Sequence, residues 1–268
     1  MIHPFWINLS NPQNVVSLMS ESVILETRAL SIQFGGVVAA DNVSMKINEG
    51  TNLAIIGPNG AGKTTFLNIC TGYLKPQNGS VLFEGRDITQ KSPQKITRMG
   101  VSRAFQIPQL FIEHTVLQNL LIAVAARENR LSPFTKLDAL YERDEMLQLL
   151  ELIDCKHLAN RPVNELPEGQ RKLIDIALAL ALKPRLLLMD EPTSGVASSE
   201  KFAIMDILAN ALQKANVTSV FVEHDMGIVE KYADEVAVWS SGVVQFRDKP
   251  SEILNHPDVI RDVIGLET

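Results

Sequence analysis

Short runs of apolar positions, some alternating with polar residues, fill the first part of the chain. They predict strands at VILETRALSIQF, VSMKI, NLAIIG and SVLFEG, because strands repeat every two residues and favour β-branched and aromatic side chains. A glycine-rich turn, GPNGAGKTT, follows NLAIIG and leads into the helical segment TFLNICTGYL. Strand, turn and helix in this order are typical of an α/β unit.

The pattern changes between residues 108 and 165, where no strand is predicted. Two segments, TVLQNLLIAVAARE and LDALYERDEMLQLLELI, carry apolar residues at helical spacing. In the second segment these residues are Leu137, Leu140, Tyr141, Leu147, Leu150 and Ile153. The pattern predicts a helical subdomain, residues 108–165, inserted into the α/β core.

Apolar runs return after this insertion and alternate with helical segments. RLLLMD and TSVFVE are almost continuously apolar, as expected for strands that are covered on both faces. The helical segment SEKFAIMDILANALQKA lies between them, and strand–helix–strand order indicates a mainly parallel sheet. We therefore predict one α/β core, formed by residues 23–107 and 166–268.

Composition and charge exclude some functions. The net charge of −6, without a long basic run, argues against nucleic acid as a partner. No apolar run is long enough to span a membrane. Cys70 and Cys155 lack metal-ligand spacing and are expected to be reduced thiols. Residues 1–22 make a poor secretory signal and are predicted to form a flexible extension, dispensable up to Met19.

The glycine-rich turn carries the strongest chemical signal. GPNGAGKT matches G-x-x-x-x-G-K-[ST] through Gly57, Gly62, Lys63 and Thr64. The glycines permit a tight loop whose N–H groups converge on phosphate oxygens, and Lys63 reaches the β and γ phosphates. The Thr64 hydroxyl is a ligand for Mg²⁺. A strand before the loop and a helix after it supply the required context, so we predict a nucleotide phosphate site.

An acidic pair ends the predicted strand LLLMD. Asp190 is placed to hold the Mg²⁺ shell, and Glu191 to polarise the attacking water. Such a pair alone is a weak signal, since a carboxylate at a strand end is often a helix cap. Together with the phosphate loop it predicts ATP hydrolysis that depends on Mg²⁺.

From residue 23 onward, the chain resembles the ATP-binding subunit of an ABC transporter. GPNGAGKTT resembles the Walker A loop, which implies that Asn59, Gly60 and Thr65 also bind nucleotide, and LLLMDEP resembles Walker B. AFQ resembles the Q-loop, so Gln106 is expected to sense Mg²⁺ and the attacking water. VEHD resembles the switch loop, with His224 contacting the γ-phosphate, and QFGG resembles the A-loop, with Phe34 stacking on adenine.

The resemblance identifies LPEGQ, residues 166–170, as the signature motif, usually Leu-Ser-Gly-Gly-Gln. Its helix N-terminus is expected to meet the ATP bound by a partner subunit. Leu166, Gly169 and Gln170 match the motif. Pro167 removes a hydroxyl and a backbone donor, and Glu168 brings a carboxylate near a polyanion. We therefore expect the helix to form, with a weaker grip on phosphate.

A second departure lies in SGVA, where the D-loop usually ends in Asp or Asn. Ala197 stands there, so a polar side chain that would reach across the dimer is missing. Both departures fall on surfaces offered to the partner's ATP.

The resemblance is closer to one subgroup, the ATPases of importers for branched-chain amino acids, urea and short amides. FGGVVAADNVSMKI, RMGVSRAFQIPQLF, VEHDM and HPDVIRDVIG have that character. The subgroup's tail usually ends in Tyr-Leu-Gly, where this chain has Val263-Ile264-Gly265.

The resemblance implies a P-loop ABC cassette with a mainly parallel core sheet, an N-terminal antiparallel β region and the helical insertion. It also implies ATP and Mg²⁺ as cofactors, a second ATPase subunit, identical or related, and membrane permeases as partners. The expected place is the cytoplasmic face of the cell membrane, bound peripherally.

Two alternatives remain open. A soluble ABC ATPase would need a coiled-coil insertion or tandem cassettes, which the chain lacks. A weakly hydrolysing, mainly regulatory subunit is disfavoured by Glu191 and His224, and favoured by Pro167, Glu168 and Ala197.

Overall fold

The computed structural model describes residues 22–128 and 142–261. Several predictions lie outside these ranges: the extension up to residue 21, the first part of the second helix of the insertion with Leu137, Leu140 and Tyr141, and the tail Val263-Ile264-Gly265.

Ten strands and nine α-helices are present in the described residues. The strands are β1 (Val23–Phe34), β2 (Val37–Asn48), β3 (Asn52–Ile56), β4 (Asn78–Phe83), β5 (Arg86–Asp87), β6 (Val101–Ala104), β7 (Leu186–Asp190), β8 (Thr218–Val222), β9 (Glu235–Ser240) and β10 (Val243–Asp248). The helices are α1 (Lys63–Cys70), α2 (Pro93–Met99), α3 (Val116–Arg127), α4 (Arg143–Leu152), α5 (Glu168–Ala181), α6 (Ser198–Ala215), α7 (Met226–Tyr232), α8 (Pro250–Ile253) and α9 (Pro257–Val259).

The strands form two sheets. The smaller sheet is antiparallel, in the order β2-β1-β4-β5, and the larger has the order β10-β9-β3-β8-β7-β6. In the larger sheet only β10 runs antiparallel to its neighbour. This architecture confirms the predicted class, an α/β core with a mainly parallel sheet and an antiparallel N-terminal region.

The parallel strands end at one edge, and this brings distant parts of the chain together. Asp190 at the end of β7 is paired with Val222 of β8, and Met189 with Ala104 of β6. Ile55 of β3 lies on the other side of Val222. The loops that follow β3, β6, β7 and β8 therefore start side by side. Ligands of open α/β sheets bind at this edge.

Two hydrophobic clusters cover the two faces of the large sheet. Leu187 and Met189 of β7 belong to the cluster that includes α3, α5 and α6. Leu186 and Leu188 belong to the other, formed with α1 and the antiparallel sheet. Alternate side chains of one strand thus enter opposite layers, which explains why residues 186–189 of β7 are all apolar.

Where the structure describes the residues between the Q-loop and the signature, they form the helices α3 and α4, loops and short 3₁₀ turns, and none of the named strands. Helices α3 and α4 pack against α5, and Leu150 and Ile153 are buried as expected. Elements β6, α2 and β10 are not among those predicted from the sequence. The extents of the subdomains remain predictions.

Two further expectations concern cysteine and the membrane. Cys70 and Cys155 are both buried free thiols. Within residues 22–128 and 142–261, none of the helices combines the length and apolarity needed to cross a bilayer.

Candidate functional site

The phosphate loop joins β3 to α1, and backbone geometry explains its glycines. Gly57 and Gly62 have φ of 149° and 112°, which side chains rarely adopt. A Cβ on Gly57 would lie 1.9 Å from the carbonyl oxygen of Trp239, and one on Gly62 would lie 1.9 Å from that of Ala39. The loop is therefore closely packed from beneath, while Asn59 and Gly60 at its tip are exposed.

Lys63 opens α1 with a buried side chain. Its ammonium donates to the carbonyl oxygens of Gly57 at 2.6 Å and Pro58 at 2.9 Å. Burial lowers the pKa of Lys63, and the nearby carboxylates of Glu191 and Asp190 oppose this. A charged donor is thus held inside the loop, where an incoming phosphate would replace weaker carbonyl partners.

Asp190 is held from two sides. The Thr64 hydroxyl donates to Oδ1 at 3.3 Å, and Arg103 donates from Nη2 to Oδ2 at 2.8 Å. Arg103 also contacts the amide oxygen of Asn68 and lies over the Phe105 ring, 4.9 Å from its centroid. Burial lowers the pKa of Arg103, and Asp190 opposes this. Asp190 thus compensates the charge of the buried guanidinium, while the Nε of Arg103 has no hydrogen-bond partner in the described residues.

Arg103 is not among the site residues predicted from the sequence. The available signal was a single cation in VSRAF, a run that contains one other polar residue, Ser102, and stands directly before Gln106.

Glu191 is the centre of the predicted catalytic group. Its φ of 51° is left-handed, an uncommon conformation for a side chain of this size, and such strain is found at functional sites. Gln106 donates from Nε2 to Glu191 Oε2 at 2.7 Å, and His224 Nε2 lies 3.1 Å from Oε1. The structure therefore brings Gln106, Glu191 and His224 together from three different loops.

Thr64 and Asp190 supply oxygen donors that suit Mg²⁺. The hydroxyl of Thr64 and the carboxylate of Asp190 are hard oxygen donors, which this ion prefers. In the described ranges no group of three or more His, Cys, Asp and Glu side chains is arranged to hold a metal. That fits an ion bound by one carboxylate and by substrate phosphates.

Two predicted nucleotide contacts, Phe34 for adenine and Thr65, lie beside the phosphate loop. Phe34 ends β1, and its ring is 49% exposed. The hairpin that it borders continues to Ala39, whose carbonyl adjoins Gly62. Thr65 is half-buried in α1. The structure thus places an open aromatic ring on the hairpin that packs on the phosphate loop.

The signature residues form the start of α5. Leu166 is buried, Pro167 is the N-cap without a side-chain cap bond, and Glu168 begins the helix. Gly169 and Gln170 follow, half-buried. The helix forms as expected, because proline and an acidic residue are both tolerated at this end.

The Glu168 carboxylate is directed towards the loop after Glu191. Its Oε1 lies 2.2 Å from where a Cβ on Gly195 would be. In the part of the chain that the structure describes, no hydrogen bond joins residues 166–170 to the phosphate loop.

Ala197 lies at the end of the same loop and is the N-cap of α6. It is exposed and provides no side-chain cap.

An apolar groove lies beside residues 105–109, the Gln106 loop. Its volume is about 440 Å³, and it is lined by residues of α2, α3 and α5 together with Tyr73, Gln109 and Phe111. Tyr73 and Phe111 are 55% and 53% exposed, and neighbouring Ile107 is 75% exposed. Such exposed apolar residues around one concavity are typical of a protein interaction site.

Comparisons with known proteins agree with this geometry. The family model for ABC transporters matches residues 40–194. The chain is 38% identical, over 91% of its length and 96% of the relative's, to a probable branched-chain amino acid transport ATP-binding protein, LivG, of Archaeoglobus fulgidus. It is 35% identical to the high-affinity branched-chain amino acid transport ATP-binding protein BraF of Pseudomonas aeruginosa, over 90% and 98% of the two chains.

Solved structures show the same likeness. A nucleotide-free ATP-binding cassette from an ABC transporter superimposes with a TM-score of 0.78 at 33% identity, over 92% of this chain and all of the other. A dimeric bacterial ABC transporter cassette gives a TM-score of 0.72 at 25% identity, over 84% and 98%.

Proposed function

The chain belongs to the ABC transporter family of ATP-binding subunits, and we propose that it powers the uptake of branched-chain amino acids or a related small solute. As a member of this family it is an ATPase that drives an importer. The solute class is proposed from what the similar LivG and BraF proteins are named for.

One observation carries the catalytic proposal: Glu191 is held by Gln106 and His224 directly after the strand that supplies Asp190. Glu191 is the group that we expect to orient the attacking water and take its proton. Gln106 and His224 each hold one of its carboxylate oxygens. Phe34, the phosphate loop through Thr65, and His224 complete the proposed nucleotide contacts.

Mg²⁺ would be held by Thr64, Asp190 and the amide oxygen of Gln106, and when bound it would neutralise phosphate charge. Arg103 keeps one oxygen of Asp190 occupied. The other oxygen, which meets Thr64, is the one that faces the phosphate loop.

We infer that a second ATPase subunit completes each site. The N–H groups of the first turn of α5 have no intrahelical partner and favour an anion. In the described residues no hydrogen bond joins this turn to the chain's own phosphate loop. A dimer in which residues 166–170 of each chain meet the ATP of the other satisfies both surfaces. A similar cassette has been solved as a dimer.

The groove beside the Gln106 loop is the proposed docking site for a membrane permease. Its exposed aromatic side chains, Tyr73 and Phe111, suit an apolar helical segment. Binding there would place the chain at the cytoplasmic face of the membrane as a peripheral subunit, next to the residue that contacts Glu191.

The test is uptake by the complete complex in lipid vesicles. The chain is purified with its permease and second ATPase, and accumulation of labelled leucine, urea and acetamide is measured with the matching solute receptor and ATP. We expect uptake of one of these solutes, which Glu191→Gln here reduces strongly. ATP binding and uptake that are unaffected by this change would favour the alternative, a mainly regulatory subunit.

A further inference from the structure

Helix α5 carries two buried charged residues directly behind the signature turn. Lys172 and Asp175 are only 2% and 3% exposed. Burying a charge is costly unless hydrogen bonds compensate it. The two charges are opposite and stabilise each other, and their hydrogen-bond partners belong to the loops around Glu191.

Lys172 joins two loops through its ammonium nitrogen. This group contacts the carbonyl oxygen of Gln106 closely, and donates to the carbonyl oxygen of Glu191 and the hydroxyl of Ser194, both at 3.3 Å. An ammonium has three N–H donors, so all of them are used. The cation thereby connects the Gln106 loop, and the loop that contains Glu191 and Ser194, to α5.

Asp175, one turn later, holds the same Gln106 loop by its backbone. Its Oδ2 accepts from the N–H of Phe105 and its Oδ1 from the N–H of Gln109, each at 3.0 Å. Burial raises the pKa of Asp175 to about 6, and these two N–H donors oppose the rise. The two contacts bracket Gln106 on both sides.

Apolar packing holds the two ends of this segment but not its middle. Phe105 is half-buried, with its ring centroid 5.6 Å from that of Tyr73, and Leu110 packs against the core. Gln106, Ile107 and Gln109, in contrast, are exposed. Segments with few buried contacts open readily. The distance of 2.7 Å between Gln106 Nε2 and Glu191 Oε2 therefore depends on the two charged residues of α5.

We propose that Lys172 and Asp175 are positioning residues, which clamp residues 105–109 to the signature helix. The inference rests on the function proposed above, because it names the residues that hold its catalytic group in place. The clamp makes the Gln106 loop and residues 166–170 move as one body. A change at this chain's own ATP, or at the permease groove, then reaches the surface offered to the partner's ATP.

The experiment compares Asp175→Ala, Asp175→Asn and Lys172→Met with Lys183→Met in the full chain. Lys183 is a matched control because it follows the other end of α5 and pairs with Glu145 at the surface. Hydrogen exchange of the backbone amides in residues 104–110 reports the clamp directly. Affinity for a fluorescent ATP analogue, and kcat and KM for ATP in the assembled complex, report its effect.

Asp175→Ala should accelerate exchange of this segment about tenfold or more, because hydrogen bonds to a charged acceptor are lost. Asp175→Asn should give a smaller effect, since an amide retains one acceptor oxygen. For both clamp residues kcat should fall about tenfold or more, with KM and analogue affinity unchanged. Lys183→Met should match the wild type in every measurement.

Local exchange that is unchanged in Asp175→Ala and Lys172→Met would overturn the clamp. So would a general loss of stability with wild-type kcat, which is the result expected of a purely structural pair. If Asp175→Ala does not fold, Asp175→Asn decides the question. A wild-type complex without ATPase activity would refute the proposed function, while the exchange measurement would still decide whether the clamp exists.

Discussion

The phosphate loop and the first turn of α5 are both proposed to present backbone N–H groups to phosphate, and they differ in how well they match their motifs. In the loop, Gly57, Gly62 and Lys63 are all in place, and packing from Trp239 and Ala39 leaves no room for side chains on the two glycines. In the α5 turn, Pro167 and Glu168 replace a serine and a glycine, and the N-cap forms no side-chain bond.

The segment that matches its motif belongs to the surface proposed for this chain's own ATP, and the altered segment belongs to the surface proposed for the partner's ATP. The residues proposed to contact this chain's own ATP match their motifs, and Glu191 contacts Gln106 and His224. Both departures, at residues 167–168 and at Ala197, lie on the surface proposed for the partner's ATP. We therefore expect this chain to hydrolyse its own ATP and to assist its partner less well.

The largest effect should come from Glu191→Gln. In a complex with a second ATPase that has an ordinary signature, the sound site is the one on this chain. We expect the substitution to slow steady-state hydrolysis about 100-fold or more, because it removes the catalytic base. The equivalent change in the second ATPase should spare much of the rate. Both variants are assayed in the reconstituted complex.

Equal losses from the two substitutions would abolish the comparison, since they would show that the altered signature is harmless. A dimer of two copies of this chain has a different expected outcome. Both of its sites meet the altered signature, and turnover should be slow overall.

Lys63→Ala should weaken binding of a fluorescent ATP analogue about 100-fold, because the phosphates lose a charged donor worth about 3 kcal/mol. Lys231→Ala is the control: this lysine pairs with Asp206 at the surface and is far along the chain from the loop. Analogue affinity that is equal in the two variants would contradict the assignment of the phosphate loop.

Pro167→Ser with Glu168→Gly should accelerate hydrolysis at the partner's site about tenfold. The serine restores a hydroxyl and a backbone donor, and a hydrogen bond to a charged phosphate contributes about 1.5–3 kcal/mol. The measurement uses complexes in which Glu191→Gln silences this chain's own site. Glu165→Gln, which removes a charge just outside the motif, should have no effect.

The position of the Glu168 side chain next to Gly195 affects how a change in rate in Glu168→Gly is interpreted. Glu168 is exposed, and its carboxylate lies close to Gly195. Glu168→Gly alone therefore removes a neighbour of the loop after Glu191 as well as a charge. A rate gain from Pro167→Ser alone would assign the defect to the missing donor.

The sequence predicted the fold and the loops of the site, because both are local patterns. Glycine-rich turns, buried apolar strands and acidic strand ends are each visible within about ten residues. Arg103, Lys172 and Asp175 were missed because their partners are distant: Asp175 meets the backbone of Phe105 and Gln109, which no side-chain pattern records.

Position in the sheet explains another limit. Strand β6 is only four residues long, and its place beside β7 results from pairing in space. Four residues are too few for a hydrophobic pattern to distinguish the sequence VSRA from a loop.

The smallest effects should come from Ala197, where one residue has two separable roles. It is the N-cap of α6 and has no side chain to cap with, while Ser198, Ser199 and Glu200 follow. Serine or asparagine there accepts an orphan N–H, and serine with Glu200 completes a capping box.

Ala197→Ser and Ala197→Asn should therefore both stabilise the isolated chain by about 1 kcal/mol, seen as a rise in Tm of about 2–4 °C. Only asparagine is long enough to reach across the dimer. We expect it alone to raise hydrolysis at the partner's site, about two- to tenfold, since a neutral hydrogen bond contributes about 0.5–1.5 kcal/mol. Thermal unfolding of the chain and hydrolysis by the complex separate the two roles. If both variants raise Tm and neither changes the rate, Ala197 matters only as a helix cap, and the deficit of the partner-facing surface is confined to residues 167 and 168.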